Sequence, residues 1–451
     1  MIFLELAVLL VCIFIGARMS GIGLGVMGMI GLLILLFVFR LPPADPPLEV
    51  MLIILSVVTA AAALQAAGGM DYLVNIAGKI LRSNPGQITI LGPVVTYFFT
   101  LFAGTAHISY SILPIIAEVA IKARIRPERA MSMSVTAAHM GITASPVSAA
   151  SAALLTVLVA SGVQLSDILM ICIPSTLIGV GVGILFVLKR GKELDKDPEF
   201  IEKMKDPAFA QLINAGEGKD TTIPLKPGAV KSVIIFGIAV LAVVALGSFS
   251  SLLPSFSGIK GFEASFAVNA DGIVQMPSMI MMIMLAAAGL IILFANTTAG
   301  QITKASLFAS AGQATIAVFG VVWMSGTFMD SNYEVIKENL GQLVTAYPWL
   351  FAIALFTMSI LLFSQAATTK ALMPLGLLLG LSPAYLVGIF PAVNGHFFIP
   401  GYPTLLTAIQ FDRTGTTKIG KYVLNHSFML PGLVTTAAAV IAGLVLQSII
   451  L

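Results

Sequence analysis

The chain has 451 residues, 58% of them hydrophobic and only 10% charged, with a formal net charge of +3. Soluble domains carry about one quarter charged residues, so this composition excludes one, and so small a net charge gives no basis for nucleic-acid binding. Apolar runs of about 17–25 residues recur along the chain and indicate membrane-spanning helices. Cys12 and Cys172 each stand alone in an apolar run, without the spacing of a disulfide framework or metal site.

In chain order, spans are predicted at about 2–16, 22–39 and 49–67. The first lacks the basic start of a signal peptide and carries Glu5, so it reads as a span and not as a cleaved leader. A broken hairpin follows at about 86–121, an interrupted span at about 130–160 and a further span at about 167–188. Residues 189–230 mix both charge signs with Pro and Gly and read as a solvated connection. Spans at about 231–249, 277–295 and 305–329 come next, then a hairpin at about 348–380, an interrupted span at about 383–411 and a last span at about 422–449. The stretches 70–85 and 330–347 precede the hairpins and read as helices lying along the membrane surface.

Each half, 1–188 and 231–451, therefore carries five spans and one hairpin in the same order. Five is odd, so the second half must sit upside down relative to the first. The fold expected is all-α and polytopic, with two inverted repeats, each of five transmembrane helices plus one re-entrant hairpin. Charge fixes the orientation expected. With 189–230 in the cytoplasm, its basic residues share that side with Arg18, Lys79, Arg82, Lys122, Arg124, Arg126, Arg129, Lys304, Arg413, Lys418 and Lys421. Arg40, Lys260 and Lys337 remain outside, and both termini face outward.

Two polar patches interrupt the apolar pattern in matching places. Phe102–Pro114 reads FAGTAHISYSILP, and Phe363–Pro374 reads FSQAATTKALMP; Thr105 and Gln365 each precede the Pro by nine residues. His139 precedes Pro146 by seven residues, and His396 precedes Pro403 by seven. Interrupted helices in corresponding places of two halves point to a secondary transporter's binding site. A helix that starts at such a break presents free N–H groups carrying about half a positive charge, which favours an anion. Candidate substrate-binding residues are Gly104, Thr105, Ala106, His107 and Ser109 at the first tip and Ser364, Gln365, Thr368 and Lys370 at the second. The interrupted spans add Ser145, Pro146 and Ser148, and Tyr402, Pro403 and Thr404. Ser and Thr also serve simply to pack helices, a reading weaker for clusters matched between halves.

Lys370 is the one cation in either hairpin; it meets a substrate carboxylate or reaches an interface. His139 and His396, in equivalent places, suggest a shared structural role such as bonding freed carbonyls, and His426 opens the last span. Neither tip nor break holds Asp or Glu, which argues against a proton relay on a buried carboxylate. No HExxH surrounds any His, so a zinc protease is excluded, and neither metal nor cofactor is expected. GLGVMG at 23–28 matches a nucleotide-binding spacing but lies inside a span; it and GVGVG at 179–183 read as close helix packing.

Several stretches resemble the anaerobic C4-dicarboxylate transporters, the Dcu family: GARMSGIGLG at 16–25, LQAAGGMDYLV at 64–74, PVVTYFFTLFAGTAHIS at 93–109 and ITASPVSAA at 142–150. SQAATTKALMP at 364–374 and AIQFDRTGTTKIGKYVLNHSFMLPG at 408–432 are equally characteristic. Lys370 makes the chain look more like the DcuA branch than the DcuB branch. The resemblance implies exchange of fumarate, succinate, malate and aspartate across a bacterial inner membrane. It extends to the wider ion-transporter superfamily, in which a dimerising scaffold domain carries a moving transport domain, so a homodimer in the lipid bilayer is implied. A Ser-Asn-Thr tip binds a carboxylate in those relatives. Here the matching positions read Gly104-Thr105-Ala106 and Ser364-Gln365-Ala366, and both lack the Asn. The expectation is an elevator-type antiporter; the alternatives are a sodium- or proton-coupled symporter on the same fold, or an anion channel. No constellation of acid, base and nucleophile supports an enzyme.

Overall fold

In a computed structural model, the structure describes residues 1–451 except 20–21, 215–222, 257–264, 266, 333, 337–343, 345, 363 and 423. Lys219, Lys260, Lys337 and much of the stretch 330–347 thus lie outside the described residues. The described residues are helical, with isolated bridges such as Ile419 with His426 and no extended strand. The chain is a multi-pass membrane protein: six described helical segments are long and apolar enough to cross a bilayer, and up to seven if a bent pair counts as one span.

The helices are α1 Ile2–Met19, α2 Gly23–Phe37, α3 Leu48–Ala66, α4 Gly69–Ser83, α5 Ile88–Ala103, α6 Ser109–Lys122, α7 Pro127–Ala144, α8 Ala149–Leu158 and α9 Leu165–Val187. Two short helices, α10 Pro198–Lys203 and α11 Pro207–Asn214, follow. Then come α12 Ala229–Ser248, α13 Met276–Phe294, α14 Ala299–Thr303, α15 Ser306–Ser331, α16 Trp349–Leu362, α17 Gln365–Leu378, α18 Pro383–Ile389, α19 Pro403–Phe411 and α20 Met429–Ile450. The last helix starts at Met429, later than the expected 422, because residues before it fold back on themselves through the bridge between Ile419 and His426.

Helix α4 leaves the line of α3 by 71°, at Gly68, whose φ of 86° is left-handed backbone that favours glycine. Met70, Leu73, Val74, Ala77 and Leu81 make its buried face. This helical spacing puts Asp71 and Lys79 off that face.

Helix α7 lies at the centre of the fold. Every residue in it except Glu128 and Ile142 is buried, although it is rich in Ser and Thr. Its hydroxyls are satisfied along the helix: Thr136 Oγ1 donates to Ser132 O at 3.0 Å and Thr143 Oγ1 to Met140 O at 2.8 Å. Helix α5 packs along α7, α9 along α20, α3 along α13, and α2 against both α1 and α15.

The connection between the halves is not simply solvated. Leu194, Phe200 and Ile213 form a small core with Ile121 at the end of α6. Arg126 pairs with Asp197 at 2.6 Å and Glu128 at 2.7 Å. Arg129 pairs with Glu193 at 2.6 Å and donates to Arg190 O and Gly191 O. Glu199 bonds Lys203 at 2.8 Å and lies 3.4 Å from Lys418; these two ammonium groups hold its carboxyl below the usual range. Three acidic residues that look solvated in sequence, Glu193, Asp197 and Glu199, thus pair with the start of α7 and the loop after α19.

The glycine stretches lie where helices touch backbone to backbone. A Cβ on Gly28 would fall 2.5 Å from the carbonyl carbon of Gly320, and one on Gly179 would fall 2.6 Å from Thr435 O. Gly28→Val should therefore force α2 from α15 and cost about 1–3 kcal/mol. Gly289→Ala, with nothing within 4 Å of the added Cβ, should be silent. Thermal unfolding in detergent checks both, and equal melting temperatures would contradict the packing argument.

Candidate functional site

The first tip lies between α5 and α6. Gly104 ends α5 with φ of 69°, and its N–H donates to Thr100 O at 2.8 Å, a left-handed helix cap. A Cβ there would come 2.8 Å from Val147 O, so glycine lets the tip touch the backbone of the break between α7 and α8. Thr105 is extended; its Oγ1 accepts from His107 N at 3.3 Å and lies 2.6 Å from His107 Nδ1. Ser109 is buried and donates to Ala106 O at 2.6 Å, closing the short turn that opens α6.

The α7–α8 break is built from hydroxyls. Ser145 Oγ accepts from Val147 N at 3.3 Å, and Ser148 caps α8 by accepting from Ser151 N at 3.1 Å. Ser145, Pro146 and Ser148 are all buried. At the second tip Ser364 caps α17 in the same way, accepting from Ala367 N at 3.2 Å. Thr368 Oγ1 donates back to Ser364 O at 2.8 Å, and Thr369 Oγ1 to Gln365 O at 2.7 Å. No hydrogen bond is formed by the first two N–H groups of α17, on Gln365 and Ala366, among the described residues. The same holds for Ala149 and Ala150 at the start of α8. These donors are what an anion would meet at a helix start.

Side-chain bonds hold the breaks together. Asn394, between α18 and α19, is 1% exposed. It accepts at Oδ1 from Gln365 Nε2 at 2.9 Å and donates through Nδ2 to Pro391 O at 3.0 Å and Thr143 Oγ1 at 3.4 Å. It thereby joins the second tip, its own break and the end of α7. Gln365 Nε2 also lies 3.4 Å from His139 O. His139 Nε2 meets Thr404 Oγ1 at 2.9 Å. The His139 and His396 rings lie 3.5 Å apart, centroid to centroid, with Tyr402 about both at 4.9 and 5.0 Å.

The first tip, the second tip and the two interrupted spans are thus linked by contact: Gly104 to Val147, Thr143 to Asn394, Asn394 to Gln365, and His139 to Thr404. Pro403 is exposed at the start of α19, whereas Thr404 beside it is buried. Lys370 is half-buried on α17. Among the described residues, neither matched histidine bonds a freed carbonyl, the role expected of them. His139 meets a hydroxyl and lies tilted against the His396 ring, and His426 meets a carbonyl, Phe398 O, at 3.2 Å. Asn394 was not anticipated. It is an isolated Asn in AVNGH, two residues before His396, and a buried amide inside a Pro-broken apolar segment is the signal that would have found it.

A family model described as anaerobic C4-dicarboxylate membrane transporter matches residues 1–451. The chain belongs to that family. It is 42% identical over 447 residues to the anaerobic C4-dicarboxylate transporter DcuB of Escherichia coli O6:H1, with 98% of this chain and 97% of that one covered. It is 41% identical over 456 residues to the C4-dicarboxylate transporter DcuA of Wolinella succinogenes, and 40% identical over 457 residues to DcuA of Escherichia coli K12, each covered at 100% of both chains. The family is one of transporters and not of enzymes. Two solved structures share the fold: the YdaH transporter of Alcanivorax borkumensis and MtrF of Neisseria gonorrhoeae. Their TM-scores are 0.53 and 0.52 at 14% and 16% identity; they match 88% and 93% of this chain and 84% of each of theirs.

His139 Nδ1 is buried without a partner among the described residues, so Thr404 supplies the bond to its ring. Thr404→Val should leave the imidazole unbonded and lower stability by about 1–3 kcal/mol. A melting temperature equal to that of the unmodified protein would mean that this bond holds nothing in place.

Proposed function

We propose that the protein is a secondary transporter that exchanges C4-dicarboxylates, namely fumarate, succinate, malate and aspartate, across a bacterial inner membrane. The observation that carries this reading is membership of the C4-dicarboxylate transporter family over the full length of the chain. The geometry is compatible: unpaired N–H groups at Gln365 and Ala366 and at Ala149 and Ala150 belong to elements joined through Asn394 and Thr143. A dianion with carboxylates at both poles suits donors presented by separate helix starts. In this reading Thr105 and Ser364 contribute hydroxyls, and His107, Ser145, Ser148, Lys370, Tyr402 and Thr404 surround the ligand.

The two hairpins, α5–α6 and α16–α17, and the two interrupted spans, α7–α8 and α18–α19, would move as one unit against the remaining helices. The two halves act as inverted repeats, both termini lie in the periplasm, and a homodimer provides the fixed scaffold. Moving a dianion across about 100 mV costs or releases roughly 2 × 2.3 kcal/mol. Exchange of one dianion for another cancels that term and needs no buried carboxylate.

Proteoliposomes loaded with succinate should take up labelled fumarate many times faster than empty ones. Equal rates would rule out obligatory exchange, and loss of uptake when choline replaces sodium would favour a symporter. Thr105→Ala and Ser364→Ala should each weaken substrate binding roughly two- to ten-fold, the worth of about one hydrogen bond, and lose about 0.5–2 kcal/mol of stability with the cap without unfolding the protein. If both variants bind fumarate as tightly as the unmodified protein, the tips are not the site.

A further inference from the structure

The amide of Gln365 has a polarity that its neighbours dictate. Pro391 O is an obligate acceptor, so the Asn394 atom 3.0 Å from it is Nδ2, and Oδ1 is the atom facing Gln365. Oδ1 only accepts, so Gln365 turns Nε2 toward it, at 2.9 Å. His139 O, 3.4 Å from the same nitrogen, requires the same assignment independently. Two backbone carbonyls, one on each side of the Asn–Gln pair, thus settle which way both amides point.

The consequence is that Gln365 Oε1 is left on the far side of its amide. It accepts no hydrogen bond among the described residues, and it is not one of the sealed, unsatisfied side-chain atoms. Gln365 is also the first residue of α17, and its own N–H and that of Ala366 are unpaired. One residue at the second tip therefore offers donors from its backbone and an acceptor from its side chain. Succinate and fumarate, which carry only acceptors, can use the first but not the second. A C4-dicarboxylate with a donor at C2, beside one carboxylate, can use both.

We propose that Gln365 Oε1 reads a hydrogen-bond donor at C2 of the substrate, the ammonium of a 2-amino or the hydroxyl of a 2-hydroxy C4-dicarboxylate. Asn394 is the positioning residue that keeps the carbonyl turned that way. This rests on the tips being the substrate site. Without Asn394 Oδ1 to accept from Nε2, Gln365 loses the stronger of its two anchors and its amide is free to rotate.

The test is counterflow into succinate-loaded proteoliposomes, with apparent affinities measured for aspartate, malate, succinate and fumarate. The ratio of aspartate to succinate affinity is the readout, because a merely structural defect would weaken all four together. Gln365→Met keeps much of the volume but removes the acceptor. It should shift the ratio against aspartate by about ten-fold or more, as expected for an acceptor facing a charged donor. Asn394→Leu, which removes the acceptor for Nε2, should shift it the same way. Gln365→Glu, which keeps an acceptor and adds negative charge, should move the ratio toward aspartate; it decides the matter if Gln365→Met does not fold. An unchanged ratio in a transporting variant of Gln365 overturns this inference alone. An unmodified protein that moves none of the four compounds overturns the proposed function with it.

Discussion

Backbone groups released where a buried helix stops must find partners inside the protein, because they have no water to turn to. Four such stops organise this molecule, and the side chains around them are chosen to meet that demand. Thr105, Ser145, Ser148 and Ser364 each accept a bond from a nearby N–H. Asn394 then ties the stops to one another, since one buried amide reaches Gln365, Pro391 and Thr143 at once. A buried polar network of this kind specifies one arrangement only when its members are satisfied. In the proposed function, what it leaves unsatisfied, the N–H groups that open α8 and α17 and the carbonyl oxygen of Gln365, is what would meet the substrate.

Packing around this polar centre follows a different rule. Helices α2 and α15 meet backbone to backbone at Gly25, Gly28 and Gly320, which is how apolar helices associate in lipid when no hydrophobic drive separates one greasy surface from another. Helix α7 is the opposite case. It is buried almost end to end and rich in hydroxyls that bond its own carbonyls. At its start, Arg126 and Arg129 gather the connecting segment through Asp197 and Glu193. The connection thereby holds the same helix whose other end forms the α7–α8 break, and Glu128 joins it to Thr416 and Ser427 in the loop before α20.

The proposed exchange draws its economy from charge. A site with no acid of its own has no charge to oppose a returning dianion, and the positive ends of peptide dipoles do not have to be protonated or released in each cycle.

The sequence by itself determined the class, an all-helical multi-pass membrane protein. Hydrophobic length, Pro and clustered hydroxyls act locally, and so they can be read along the chain: the tips after Ala103 and before Gln365 and the gap at Ser145–Ser148 lie where polar residues interrupt apolar runs. The family was legible for the same reason, in contiguous stretches such as SQAATTKALMP. Only the tertiary structure decided what the breaks touch. Asn394 is unremarkable in AVNGH until folding brings it to Gln365 and Thr143, and the His139 and His396 rings meet only when α7 meets the segment before α19. The connection reads as solvated because charge composition does not reveal that Glu193, Asp197 and Glu199 have partners distant in sequence. Partners of this sort are fixed by three-dimensional proximity, and no spacing along one chain segment encodes it.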